Sequence, residues 1–539
     1  MKKLVILVLT AASFAALPNI SRSQPKIDWS VTLGGSQRDW GYGIATTPGG
    51  GCVFAGFSNS ADGDITGHHG PTSTSDCLVG KLDANGKVLW MHSYGGSGND
   101  AAINVILVPG GYVFCGGTAS TDGDVKGLHG TQNSDAWVVK LDTNGNILWQ
   151  HCYGGSLEDD ATRIVATSDG GYLFAARSYS NDGDVTGHHG STTGSDYWVV
   201  KIDSVGNIQW EKSYGGTGND APFGLTRTDD NGYVLCGDCT SNDGDVTGNH
   251  GGSDIWVMKI NDTGKLLWEN SFGGPGDEDN NTVTLAADGG YIIGGSAYYS
   301  GGDIKTPHYG HNDEYDIWVF KLSRDGSLVW EKSYGGTGRD YEQDVHATPD
   351  GGCLVTGYTT SNDIDVSGHH GDTSNYDGWV FKIDSNGLLQ WQKCVGGTKM
   401  EGLTGIALTD DGGCVIAGNT QSSDGDVSKN QGNADAWIVR FAPFLTGPSS
   451  NVLDVATISN SSIYPNPATS ELTITGIPSG CSAIDVYDAL GRRVMVVQHP
   501  ISDAEIILNI QVLPEGFYLV CSITNVGSVL LGTFLKLVH

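Results

Sequence analysis

The chain of 539 residues carries 61 acidic against 29 basic side chains, a formal charge of −32, and 81 glycines against 16 prolines. That charge excludes nucleic-acid phosphates and anionic lipid as partners, and leaves cations, basic groups and neutral glycans. The length excludes one ordinary core, and glycine without matching proline suits tight turns between short strands rather than disorder or collagen.

Residues 1–23 open with Lys2 and Lys3, run apolar from Leu4 to Ala16, and end on the small residues Ser21 and Ser23. This pattern predicts a secretory signal peptide cleaved after Ser23. No cysteine precedes Cys52, so the modified cysteine of a lipoprotein is missing. No later apolar run approaches the roughly 20 residues that span a bilayer. The expectation is an exported protein without a transmembrane segment, secreted or held at the outer surface by other means.

From there to about residue 441 the chain repeats itself. A tryptophan recurs at positions 29, 90, 149, 210, 268, 330 and 391, at spacings of 58 to 62 residues. In the third copy, strand-like runs at Thr162 to Thr167, Tyr172 to Ser178, Tyr197 to Ile202 and Asn207 to Lys212 are separated by turns rich in Gly, Asp and Asn. Four β-prone runs per unit of about 60 residues, with no helical apolar period, predict antiparallel meanders. Seven such units predict an all-β fold, a seven-bladed β-propeller of four-stranded blades over residues 24–445. The last unit lacks a fourth run, and the Ile27 to Leu33 strand is expected to close it, removing the exposed edges of an open row. A second tryptophan (Trp137, Trp198, Trp256, Trp318, Trp379, Trp437) follows an Asp by two residues in six units. Two large aromatics per blade are expected to wedge neighbouring blades together.

Export invites a disulfide reading of the eleven cysteines, but most share repeat positions in different units and so lie far apart. They are expected to be buried thiols filling small apolar sites. The one pair worth testing is Cys481 with Cys521.

The unit Asp-x-Trp-Val-Val-Lys-Leu-Asp-x-x-Gly-x-Leu-x-Trp, followed by Tyr-Gly-Gly and an Asp-Gly-Asp loop, resembles propeller-type repeats of exported Bacteroidetes proteins. Its Leu-Asp-x-x-Gly-x-x-x-Trp portion is also similar to the repeat of quinoprotein dehydrogenases, a likeness that supports fold and not chemistry. A linker rich in Ser, Asn, Pro and Gly occupies 446–462. Beyond it, Tyr464-Pro465-Asn466-Pro467, Leu472-Thr473-Ile474, Asp485-Val486-Tyr487-Asp488 with Gly491, Leu513-Pro514-Glu515-Gly516-Phe517-Tyr518 and Lys536-Leu537-Val538 follow in order. Residues 463–539 thereby resemble the C-terminal sorting domain of the type IX secretion system. The resemblance implies engagement of that machinery, then release or attachment to surface glycolipid. The alternating strands fit a small immunoglobulin-like β-sandwich.

Two features recur beyond packing. Ten residues after each opening tryptophan stands a carboxylate: Asp39, Asp100, Asp159, Asp220, Glu278, Asp340 and Glu401. These are expected on the same face as the long loop joining each blade's second and third strands. That loop carries an Asp-x-Asp pair as Asp62/Asp64, Asp122/Asp124, Asp182/Asp184, Asp243/Asp245, Asp363/Asp365 and Asp424/Asp426, while the fifth unit keeps Asp303 alone. Five residues after the second Asp stands His69, His129, His189, His250, His308 or His370, with Gln431 in the seventh unit. Three readings stay open: carboxylates fixing the turn through backbone N–H groups, calcium held by oxygen ligands, and a transition metal favoured by the His.

No nucleophile elbow, Walker loop, metal site of two Cys-x-x-Cys motifs or His-Glu-x-x-His marks an enzyme. The expected function is a non-enzymatic binding module on the acidic loop face, for a glycan, a cation or a surface protein. The alternative is an exported polysaccharide-acting enzyme, a glycosidase or lyase, using two carboxylates of that face. An enzyme breaks symmetry at its site, and the departures from symmetry are Arg177, the altered loop from Ser300 to Asp316, and Trp40.

Overall fold

The computed structural model describes residues 24–130, 133–309 and 314–444, and beyond these 462–465, 468–475, 481–488, 493–498, 505–511, 513, 516–524 and 527–536. The expected signal peptide, nearly all of the linker, and Asn466, Pro467 and Gly491 of the sorting motif lie outside the described residues. The chain divides into two compact units at residue 445. No helix among the described residues is long and apolar enough to cross a membrane.

In the third repeat, Asp159–Ala166, Tyr172–Ser178, Asp196–Ile202 and Ile208–Tyr214 form one antiparallel sheet in chain order. The first strand begins three residues before the expected run. Asp159, Asp160 and Ala161 are poor strand formers alone, and pairing with Ser178, Arg177 and Ala176 holds them extended. The same four-stranded meander recurs from Asp39–Thr47 onward, giving an all-β, propeller-like array of repeated sheets. The seventh such sheet is built from Glu401–Leu408, Cys414–Thr420 and Asp435–Phe441, with Ile27–Leu33 as its outermost strand. Ile27 lies opposite Phe441 and Leu33 opposite Ala436, so the two ends of the array are hydrogen-bonded to each other.

The apolar core lies between sheets. One cluster joins Cys115 and Val138 of the second sheet to Ile164, Phe174 and Trp198 of the third. Another joins Ala417 and Ile438 of the seventh to Phe54 and Leu78 of the first. Trp137, Trp198, Trp256, Trp318, Trp379 and Trp437 are all fully buried. The opening tryptophans lie further out and reach the next sheet's hairpin: Trp29 Nε1 donates to Ala84 O at 2.8 Å and Trp149 Nε1 to Ser204 O at 3.2 Å. The wedge role follows from both sets, since each indole covers on the order of 150–250 Å². The buried set donates within its own sheet, as Trp198 Nε1 does to Glu211 at 2.9 Å, while Trp268 and Trp437 keep Nε1 without a partner. Cys52, Cys77, Cys115, Cys152, Cys236, Cys239, Cys353, Cys394 and Cys414 are free, buried thiols.

The C-terminal unit holds a three-stranded and a four-stranded antiparallel sheet around Leu472, Ile474, Ile484, Val486, Leu508 and Val520. Lys536 Nζ donates to Thr469 O, Tyr518 is buried, and Gly516 begins the strand Gly516–Thr524. Cys481 stands opposite Thr524, and Cys521 opposite Asp485. Three to four residues of offset at about 3.3 Å each put the two Cα atoms about 10 Å apart, too far for a disulfide without backbone movement.

Candidate functional site

The predicted ring of carboxylates sits at the start of each sheet's first strand, and it is buried rather than presented. Asp39, Asp159, Asp220, Glu278 and Asp340 are 0% exposed, Asp100 and Glu401 1%. Each accepts the N–H four residues before it, as Asp340 does from Gly336 at 2.9 Å and Asp159 from Gly155 at 2.7 Å. Each of the five Asp then takes a hydroxyl from the second strand's end, such as Ser361 to Asp340 at 2.8 Å, and four take another, such as Thr359. Glu401 accepts from Thr420 Oγ1 at 2.7 Å, whereas Glu278 keeps Oε1 without a partner. Burial raises the carboxyls of all seven, Asp340 and Glu278 to about 8. These side chains form a collar that staples the Gly-Gly turn to the sheet, and solvent does not reach them.

The Asp-x-Asp loops are stapled as well. Asp62, Asp122, Asp182, Asp243, Asp363 and Asp424 each accept a backbone N–H of the preceding Gly-Gly turn, from Ser36 at 2.7 Å to Thr398 at 2.9 Å. That hydrogen bond holds the exposed carboxyl of Asp62 below its ordinary range. Between the two Asp, Gly183 has φ +64°, and a Cβ there would stand 2.4 Å from Gly154 O. The sixth loop puts Ile364 at φ 57° in the same place.

The second Asp joins neighbouring units. His129 Nδ1 lies 2.7 Å from the buried Asp135 of its own unit, and its Nε2 lies 3.7 Å from Asp184 of the next. His189 links Asp196 to Asp245, His250 links Asp254 to Asp303, and His370 links Asp377 to Asp426. At the closure Gln431 Nε2 donates to Asp64 Oδ2 at 2.5 Å, while Asp124 and Asp365 face Gly95 N and Gly335 N. Sequence reading missed the buried Asp partners of the His, although the Asp two residues before each second tryptophan was their signal. Among the described residues no group of three or more His, Cys, Asp or Glu is arranged to hold a metal ion.

A cavity of about 700 Å³ takes lining from the first strand of every sheet: Tyr42, Ile103, Arg163, Phe223, Thr282, Gln343 and Thr404. Its mouth is on the loop side, where Ser75, Asn99 and Ser134 line it. On the hairpin side a second cavity of about 510 Å³ shares Tyr42 and Arg163. Between them the Arg163 guanidinium lies 3.8 Å from Asp344, from the first strands of the third and sixth sheets.

Around the mouth one repeat position differs in nearly every unit. It is the residue after the collar carboxylate, with its cross-strand partner. The pairs are Trp40/Phe57, Ala101/Gly117, Asp160/Arg177, Ala221/Asp238, Asp279/Ser296, Tyr341/Tyr358 and Gly402/Asn419. Arg177 pairs with Glu158 and lies 3.5 Å from Asp160. Tyr341 and Tyr358 have ring centroids 5.2 Å apart, and Tyr315, from the altered fifth loop, lies 5.0 Å from Tyr341. Tyr376 adds a fourth ring 4.9 Å from Tyr358. Trp40 lies 5.7 Å from Phe57 and 6.1 Å from Tyr42. Burial first, then the nearby Asp279 charge, raises the Asp238 carboxyl well above its ordinary range. The three expected departures from symmetry, Arg177, Trp40 and the fifth loop, all reach this rim; Tyr341, Tyr358, Asp238 and Asp279 were missed, because finding them requires the strand register.

Residues 462–531 match the family model of the secretion system C-terminal sorting domain. The chain is also 26% identical over 210 residues to the regulatory protein FlaEY of Caulobacter vibrioides, a match covering 37% of this chain and 22% of that relative, so the chain spans less than a quarter of its length. A protein of unknown function from Dyadobacter fermentans is 10% identical, with TM-score 0.39, over 79% of this chain and 100% of that one. The extracellular domain of a putative one-component system from B. thetaiotaomicron is 9% identical, with TM-score 0.39, over 96% of this chain and 58% of that one. The sorting domain marks the chain as cargo of the type IX secretion system, delivered to the cell surface or released from it.

Proposed function

We propose that this is an exported binding module whose partner enters the mouth of the axial cavity. The reading takes residues 1–23 as signal peptide, 24–445 as a closed seven-bladed propeller, 446–462 as linker and 463–539 as an immunoglobulin-like sorting domain. Support for closure comes from the Ile27–Leu33 strand, which completes the last sheet, and from the first strand of that sheet lying against Asp39–Thr47 of the first. The collar carboxylates and the Asp-x-Asp loops serve the fold in this reading. Their oxygens already accept backbone N–H and hydroxyl groups, which leaves calcium little to gain.

The observation that carries the proposal is the variation at the mouth. Seven units keep the same collar and the same opening tryptophan, yet at the residue after the collar they present aromatic, ionic, acidic or small side chains. Packing demands repetition, whereas recognition of an asymmetric partner demands difference. The experiment is a glycan array and a chromogenic glycoside screen on the full chain beside Arg177→Ala. Saturable binding without product, weakened by the substitution, supports the module.

An exported polysaccharide-acting enzyme is the second reading, and one observation favours it: two carboxyls of the rim stand near each other, as a general acid beside a second carboxylate would. Asp238 is raised by burial and then by the Asp279 charge, and Asp279 by burial and then by Asp277. Turnover lost in Asp279→Asn alone would replace the first reading with this one.

A further inference from the structure

We infer that the partner at the mouth is a neutral oligosaccharide. Its ring faces lie on an aromatic arc from the sixth and first sheets, and its hydroxyls bond a polar arc from the third to fifth sheets. The inference rests on the mouth being the binding site, as proposed above.

The aromatic arc consists of the Tyr341/Tyr358 and Trp40/Phe57 pairs, all half-buried. The intervening seventh sheet carries Gly402 at this position, where a Cβ would come within 3.7 Å of the Tyr358 ring. The small residue therefore adds no side chain of its own against the ring between the two pairs. The opposite arc carries Asp160, Asp238, Asp279 and Asn281. A pyranose has an apolar C–H face and a rim of hydroxyls, so it fits a site with rings on one side and planar polar groups on the other.

Two polar atoms at the mouth lack a partner. Asn281 lines the cavity, is 0% exposed, and its Oδ1 accepts no hydrogen bond. Trp40 Nε1 is buried and donates to nothing. A buried acceptor and a buried donor left open both match a hydroxyl, which donates and accepts. Charge narrows the class further. Glu158, Asp160 and Asp279 around the mouth, and −32 over the chain, repel a polyanion. A cationic partner would compete with the chain's own guanidinium groups, since Arg38 lies 5.0 Å above the Trp40 ring and Arg177 5.5 Å above Tyr179.

The test is isothermal titration of the full chain with four neutral oligosaccharides (gluco-, xylo-, manno- and galacto-), with polygalacturonate and with a lysine-rich peptide. The expected result is saturable binding of at least one neutral oligosaccharide, weakened about tenfold by Tyr341→Leu with Tyr358→Leu. Should that variant fail to fold, Trp40→Leu tests the other half of the arc with the same expectation. If only polygalacturonate binds and Arg177→Ala weakens it, or only the peptide binds and Arg177→Ala strengthens it, the neutral-sugar inference falls while the mouth stands. If a neutral sugar binds equally to wild type, both aromatic variants and Arg177→Ala, the inference and the mouth fall together. No binding of any neutral sugar overturns the inference alone.

Discussion

Two adjacent residues of each first strand contrast the collar with the mouth. At the first, seven units hold a buried carboxylate stapled to a Gly-Gly turn; at the second, Trp40, Ala101, Asp160, Ala221, Asp279, Tyr341 and Gly402 run from aromatic through acidic to small, and no two share the same cross-strand partner. In a repeat array, sameness reports what every unit must do to stand beside its neighbour. Difference reports what the whole array does only once.

Substitutions at the two positions should separate these roles. Asp340→Ala strands Gly336 N–H and the Thr359 and Ser361 hydroxyls in a buried site, and is expected to cost about 3 kcal/mol in denaturant unfolding. A cost under about 1 kcal/mol would place the collar among the dispensable contacts. The pH dependence follows from the raised carboxyls. An acid whose folded pKa lies above its unfolded value adds stability that is full below the unfolded pKa and is lost as pH rises through the folded one. Glu278, raised from 4.5 to about 8, therefore favours the fold near pH 4 and ceases to by pH 8. Glu278→Gln should remove on the order of 2 kcal/mol of pH-dependent stability between those limits, read as a flatter melting temperature across the range. Ile364→Gly, which relieves a β-branched residue at φ 57°, should raise stability by about 1 kcal/mol. At the mouth, Arg177→Ala breaks only part-exposed ion pairs and should change stability by about 0.5 kcal/mol or less. A loss as large as at Asp340 would erase the distinction between the two positions.

Much of this architecture was legible because repetition makes weak signals add. The tryptophan spacing located the units, the missing fourth run foretold the role of Ile27–Leu33, and repeat-aligned cysteines argued against disulfides. The collar was found by the same spacing, but its exposure was misjudged. A carboxylate in a glycine-rich stretch looks solvated until the hydroxyls of Ser361 or Thr118, about twenty residues on, fold over it. The mouth was half legible. Trp40 and Arg177 stood out against the pattern of their units, but Tyr341 with Tyr358 and Asp238 beside Asp279 become neighbours only through register and through contact between sheets.

The hydrogen bonds between Ile27–Leu33 and Asp435–Phe441 also set a timetable. The first strand of the array waits for the last, so six sheets can form locally while the seventh cannot be completed until nearly the whole repeat region is at hand. Joining such distant segments carries the largest loop-closure entropy in the molecule, and the final clasp should be the slow step of folding. A chain stopped anywhere before residue 435 keeps an unmatched strand at its beginning, a natural handle for chaperone or protease.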